Sequence, residues 1–131
     1  MLNTKSIKSW PQSIDGKRIS IMSRHTMNDG ITLDPEILPE LYDEWWPELS
    51  PPPILIGAYR KRGMTWPEFE EGYREYLRLP LAMAKIAALI DLAKNGVVTV
   101  LCVENQPDQC HRRLLAEECI LLEPGLEVNI R

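Results

Sequence analysis

The sequence predicts a small domain of the α/β class, built on a short and mainly parallel β-sheet. A continuous apolar run at residues 97–103 is typical of a strand that is buried on both faces. Helical patterns lie on both sides of this run, and a run at 17–23 alternates polar and apolar residues as a strand does. Helix, strand, helix and strand in succession indicate parallel βαβ connections. We therefore expect a Rossmann-like arrangement of two or three layers.

The first half of the chain predicts one strand surrounded by irregular structure. Residues 1–16 are polar and contain Trp10-Pro11 and Asp15-Gly16, so we interpret them as a leading arm and a turn. The strand at 17–23 should end before the turn sequence at residues 28–30, which reads Asn-Asp-Gly. Proline and aromatic residues crowd residues 31–53, which favours short helical turns and loops over any long element.

The second half predicts three helices before the apolar strand and one after it. The first should run from Pro53 to Arg62 and the second should begin at Thr65, where a capping box with Glu68 is expected. The Leu79-Pro80 step separates the second helix from a third, at about 81–94. Asp108 is expected to cap the last helix, which reaches about residue 122, and a final strand should follow at 127–130.

Size and composition narrow the class of protein. The chain has 131 residues, which suits a single domain over 1–131, and a formal net charge of -4, which disfavours nucleic-acid binding by bulk electrostatics. No apolar run is long enough to span a bilayer, and the first residues lack the apolar stretch of a signal peptide. With three cysteines and no export signal, we expect free thiols and a cytoplasmic protein.

Two loops should leave the sheet at the carboxyl edge, where open parallel sheets bind ligands. One carries Arg24 and His25, and the other runs from Glu104 to Arg113. The chain has only two histidines, and His25 and His111 fall one in each loop. If the two strands are neighbours, these loops face each other.

The second loop concentrates residues that can carry chemistry. Cys110 and His111 are expected in the first helical turn, where amides and the helix dipole bind anions and lower the pKa of a thiol. We therefore predict catalytic roles for Cys110, His111, Glu104 and His25, with Glu104 or a histidine as acid or base. Arg24, Arg112 and Cys102 are the predicted ligand-binding residues, and the Arg112 guanidinium is expected to clamp an anion.

Simpler interpretations stand beside these predictions. Cys102 and Cys119 lie among apolar residues and are more often small core residues than nucleophiles. Neither Cys102 nor Cys110 is followed by an arginine at phosphatase spacing. Cys102, Cys110 and the two histidines are suitable ligand types for zinc, but neighbouring residues point about 100° apart on a helix. We therefore expect no metal site and leave the cofactor unknown.

The residues of this region resemble a known family. Leu101-Cys102-Val103-Glu104 followed by Cys110-His111-Arg112 is similar to the signature of a bacterial family catalogued as domain of unknown function 488, which includes YeaO-like proteins. Ser23-Arg24-His25-Thr26 resembles the end of that family's first strand, and two Trp-containing segments at 41–51 and 66–73 resemble one branch. The resemblance covers about residues 18–131. It implies a compact α/β fold and a site at the signature, and no established activity.

Three functions remain open at this point. The first is an uncharacterised enzyme or binding domain that takes an anionic small molecule or nucleotide at the carboxyl edge. The second is a non-enzymatic accessory module that binds nucleic acid or a protein partner through Arg60-Lys61-Arg62 and the Trp-rich loop. The third is structural, with Cys110-His111-Arg112 holding the loop through internal hydrogen bonds. We favour the first, and whether it includes a reaction is left open.

Overall fold

A computed structural model describes residues 1–27 and 29–131. Its sheet has five parallel strands: β1 (Leu2–Ser6), β2 (Lys17–Ser20), β3 (Glu44–Trp45), β4 (Val98–Cys102) and β5 (Val128–Asn129). Their order across the sheet is β3-β2-β4-β1-β5. The predicted α/β class and the parallel sheet are confirmed. The turn predicted at 28–30 begins at Asn28, which lies outside the described residues.

Four helices accompany the sheet: α1 (Pro53–Lys61), α2 (Trp66–Leu77), α3 (Pro80–Lys94) and α4 (His111–Leu122). The capping box is confirmed, because the Glu68 amide donates to Thr65 Oγ1 and the Thr65 amide donates to Glu68 Oε1. The break between α2 and α3 falls at the predicted Leu79-Pro80 step. Within the described residues, no helix has the length and apolar content needed to cross a membrane.

The helices pack on one face of the sheet, which corresponds to the two-layer form of the predicted fold. Alternate residues of the strands and of the chain just after β2 point to this face, including Ile19, Ile21, Val98 and Val100, and they join one core with residues of α2, α3 and α4. A smaller cluster of Ile7, Ile37, Leu41 and Leu101 lies apart from this core and is built from loops and strand ends.

The interpretation of residues 1–16 as a leading arm is wrong, because Leu2–Ser6 form an interior strand. This strand, β1, pairs with β4 on one side and with β5 on the other. Its polar side chains are buried but bonded: Asn3 Oδ1 accepts from Asn129 Nδ2 at 3.0 Å, and Thr4 Oγ1 accepts from the Arg131 amide at 2.9 Å. These partners lie more than 100 residues away, so the local sequence gave no sign of burial.

Gly16 precedes β2 at a place that excludes any side chain. Its φ is 62°, and an added Cβ would lie 2.0 Å from the Val97 carbonyl oxygen. That carbonyl accepts from the Lys17 amide, so it cannot move away without disturbing the start of the β2–β4 pairing.

We expect Gly16→Ala to lower the free energy of unfolding by about 3 kcal/mol, from backbone strain and overpacking together. The matched control is Gly63→Ala, because Gly63 has a φ of 75° with nothing within 4 Å of its added Cβ. That substitution should cost only the backbone strain, about 1 kcal/mol. Urea unfolding of both variants measures the difference, and equal losses would contradict the close approach to Val97.

Candidate functional site

The two predicted loops meet at the carboxyl edge of neighbouring strands. β2 and β4 pair in parallel, so the residues after Ser20 and those after Cys102 leave the sheet side by side. The contact between the loops is made by His111, whose Nε2 lies 2.8 Å from the Ile21 carbonyl oxygen. The first residue of α4 is therefore bonded to the chain just beyond β2.

Three side chains converge at this point: Cys102, Cys110 and His111. Cys102 Sγ lies 3.4 Å from His111 Nδ1, and one ligand atom from each of the three residues lies within 4.8 Å of the others. Cys102 ends β4, and His111 begins α4. Cys110 lies just before the helix in an extended conformation, with φ -128° and ψ 141°. We call these three residues the Cys-His cluster.

The expected cap at Asp108 is wrong, and the difference explains the convergence. Because α4 begins one residue after Cys110, the Cys110 backbone is not helical and its side chain does not follow helical spacing. Side chains of Cys110 and His111 would point about 100° apart only if both residues were helical. That condition does not hold, and the geometric objection to a metal site falls with it.

The tautomer of His111 follows from its partners. A carbonyl oxygen only accepts, so Nε2 must carry a hydrogen to donate to Ile21. In a neutral ring Nδ1 then holds the lone pair that faces Cys102. The Tyr73 ring packs nearly perpendicular to the imidazole with centroids 5.5 Å apart, and the Tyr73 hydroxyl donates to the Leu49 carbonyl. The imidazole is thus held on several sides.

The thiols of the cluster differ in their electrostatics. Burial raises the pKa of Cys110 far above its usual value, with the neighbouring Cys102 thiol adding to the rise. For Cys102 burial also raises the pKa, but hydrogen bonds from Cys110 and from the Glu104 amide, with the Arg112 charge, bring the pKa below its usual value. Burial raises the pKa of Cys119, outside the cluster, to about 12. Burial therefore disfavours the Cys110 thiolate, which counts against the expected activation of this thiol by the helix N-terminus.

Arg112 is fully buried and bonded to the backbone of its own surroundings. Its guanidinium donates to the carbonyls of Glu104, Asn105 and Arg131 at 2.6, 3.3 and 3.1 Å. These bonds tie the loop after β4 to the end of the chain. The expected anion clamp has no support in this arrangement, because the donors are turned inward.

His25 does not join the cluster. It is 8% exposed, its Nε2 lies 2.7 Å from Ser20 Oγ, and its ring packs on Tyr42 and Trp45. Because Ile19 and Ile21 point to the helices, Ser20 between them points to the opposite face of the sheet. The sheet therefore separates His25 from the cluster. Burial lowers the pKa of His25, which favours the neutral ring.

The remaining predicted residues lie at the surface. Arg24 and Glu104 are exposed, and Glu104 Oε1 lies 3.8 Å from Arg60 Nη2. This pair forms a charged rim beside the loop after β4. From the sequence, Arg60 is assigned only to the alternative binding surface, and Tyr73 is given no part in the site. The Ile21 carbonyl was missed, since a backbone group that bonds the histidine leaves no signal in the sequence.

A family comparison covers nearly all of this structure. A family model described as the active DUF488-N3 subclade, DUF488-N3a, matches residues 2–123. The chain belongs to the DUF488 family. This confirms the resemblance carried by the Cys102–Glu104 and Cys110–Arg112 segments, and the match includes every strand and helix of this DUF488 domain except β5. Comparison with curated proteins and with solved structures finds no match.

Proposed function

We propose that this DUF488 domain binds an anionic small molecule, of the nucleotide class, at the carboxyl edge of its sheet and acts on it with the Cys-His cluster. The observation that carries the proposal is the convergence of Cys102, Cys110 and His111 at the end of the central strand, with His111 oriented by the Ile21 carbonyl. A catalytic base is commonly held in one orientation by a second group, as the Ile21 carbonyl holds His111.

The surroundings of the cluster favour a negatively charged ligand. The first amides of α4 have no intrahelical acceptor, and they lie at the positive end of the helix dipole. Arg60, which is 57% exposed, adds a guanidinium at the rim. The exposed Glu104 carboxylate pairs with this guanidinium at 3.8 Å and lies within reach of a ligand bound at the rim. The subclade is itself described as active, which agrees with a reacting centre.

Calorimetric titration with AMP, ADP and inorganic phosphate tests this proposal. We expect saturable binding of at least one of these probes and about tenfold weaker binding by Arg60→Gln, the loss of one charge-assisted contact. Lys94→Gln is the matched control, because Lys94 is similarly exposed but lies before β4, at the amino edge of the sheet. Failure of all three probes to bind, or equal losses in the two variants, would contradict the proposal.

The accessory-module alternative has less support among the described residues. Arg60, Lys61 and Arg62 are exposed. The tryptophans of the Trp-rich loop, which this alternative also requires, make contacts within the domain instead. Trp46 is in the core beneath Lys85, and Trp45 packs on His25 and donates to the Met22 carbonyl. Affinity for single-stranded oligonucleotides that falls steeply with salt would favour this alternative.

A further inference from the structure

The Cys-His cluster comes close to the separations of a tetrahedral metal site. Bonds of about 2.3 Å to sulfur and 2.0 Å to nitrogen place tetrahedral ligand atoms roughly 3.5 to 3.8 Å apart. Cys102 Sγ and His111 Nδ1 are 3.4 Å apart, and all three ligand atoms lie within 4.8 Å of one another. A small contraction of the cluster is enough to bring all three to bonding distance from one ion.

The groups around the cluster orient it as metal ligands are oriented. A histidine that binds a metal through one nitrogen usually donates its other N–H to a carbonyl or carboxylate. His111 donates Nε2–H to the Ile21 carbonyl, which leaves Nδ1 for the ion. Arg112 braces the loop that joins the two cysteines by bonding the Glu104 and Asn105 carbonyls.

The ligand types select the metal. Two thiolates and an imidazole suit zinc, whereas magnesium and calcium prefer oxygen ligands. Among the described residues, the group that converges consists of these three side chains alone. Three protein ligands leave a fourth position for water or for a ligand oxygen, which is the pattern of catalytic rather than structural zinc.

We propose that Cys102 Sγ, Cys110 Sγ and His111 Nδ1 bind one zinc ion with an open fourth position. The ion acts there as a Lewis acid toward an anionic ligand and lowers the pKa of bound water. This inference deepens the proposed function and rests on it for its catalytic meaning. Occupancy by the metal is measured without any substrate.

The test uses the full chain, stripped of metal under reducing conditions and titrated with Co²⁺ and then Zn²⁺. We expect one Co²⁺ per chain with intense thiolate charge-transfer absorption, which Zn²⁺ abolishes. Cys102→Ser, Cys110→Ser and His111→Gln should each weaken binding by at least about 100-fold, since each removes a direct ligand. Cys119→Ser and His25→Gln are matched controls, because these residues lie outside the cluster. Both should bind Co²⁺ as the parent chain does.

X-ray absorption of the zinc-loaded parent chain keeps the test independent of whether the variants fold. Two sulfur ligands, one imidazole and one light atom are expected around zinc. Only nitrogen and oxygen neighbours, no charge-transfer absorption with Co²⁺, or an equal loss in Cys119→Ser would overturn the site. Zinc binding without binding of AMP, ADP or phosphate supports the metal site and counts against the proposed function. The converse result overturns the metal site alone.

Discussion

Replacing Asp15 with Asn should lower the free energy of unfolding by about 3 to 5 kcal/mol, the cost of breaking a buried ion pair from one side. The Asp15 side chain is completely buried between Lys5 and Arg18, and Arg18 Nη1 donates to its carboxylate at 2.7 Å. Arg18 is itself only 3% exposed, so removal of the negative charge leaves a buried guanidinium without its counter-ion. Urea unfolding with a constant m-value measures the loss.

The control for this prediction is Glu36→Gln. Glu36 pairs with Lys8 at the surface, where both side chains are well exposed and the pair contributes less than about 1 kcal/mol. If the two substitutions cost the same, the Asp15 pair would not be acting as a buried pair. Two further hydrogen bonds involve Asp15. The Thr99 hydroxyl donates to its backbone carbonyl, and the Gln12 amide donates to its carboxylate. The Asn side chain retains an acceptor for the Gln12 amide.

The pH dependence of stability should show the same carboxylate. Burial raises the pKa of Asp15, but hydrogen bonds from Lys5, the Gln12 amide and Arg18 together lower it by more. The net pKa in the folded chain therefore lies below the usual 3.8. The stabilisation is therefore complete above pH 3.8 and is lost as pH falls through the folded pKa. Asp15→Asn should remove this part of the acid dependence.

The elements that could be predicted are those whose signals are local. The apolar run that forms β4 and the Thr65–Glu68 box that starts α2 need no distant partner to be recognised. The sequence of β1, with Asn3, Thr4 and Lys5, looks like a solvated arm. Its burial depends on partners far along the chain, and only the folded structure brings those partners to it.

The candidate site was likewise predictable only in part. Its location followed from topology, because parallel strands place the loops that follow them at one edge of the sheet. Topology did not predict which of the candidate residues lie together. A shift of the helix start to His111 turns Cys110 toward Cys102, and the alternation of Ile19, Ser20 and Ile21 directs His25 to the other face. Changes of one residue in register decide such groupings, and sequence patterns do not resolve boundaries that finely.

Arg112→Ala should be as damaging as the loss of Asp15, with an expected decrease of about 3 to 5 kcal/mol in the free energy of unfolding. The substitution removes a fully buried guanidinium and leaves the carbonyls of Glu104, Asn105 and Arg131 without their donor. Thermal and urea unfolding measure the effect. A lysine at this position can reach only part of the set, because its ammonium lacks the planar fork, so Arg112→Lys should recover part of the stability.

Arg113→Ala is the control, because it removes the neighbouring positive charge of α4 and leaves Arg112 in place. Arg113 is partly exposed and bonds to the Asp108 carbonyl and Glu117, so its loss should cost about 1 kcal/mol or less. If Arg112 instead clamped an anion from solvent, Arg112→Ala would unfold like the parent chain and fail to bind phosphate or nucleotides. Because the guanidinium donors point to carbonyls, we expect the opposite order of effects: a large loss of stability and, in the folded fraction, a disordered loop between Cys102 and Cys110.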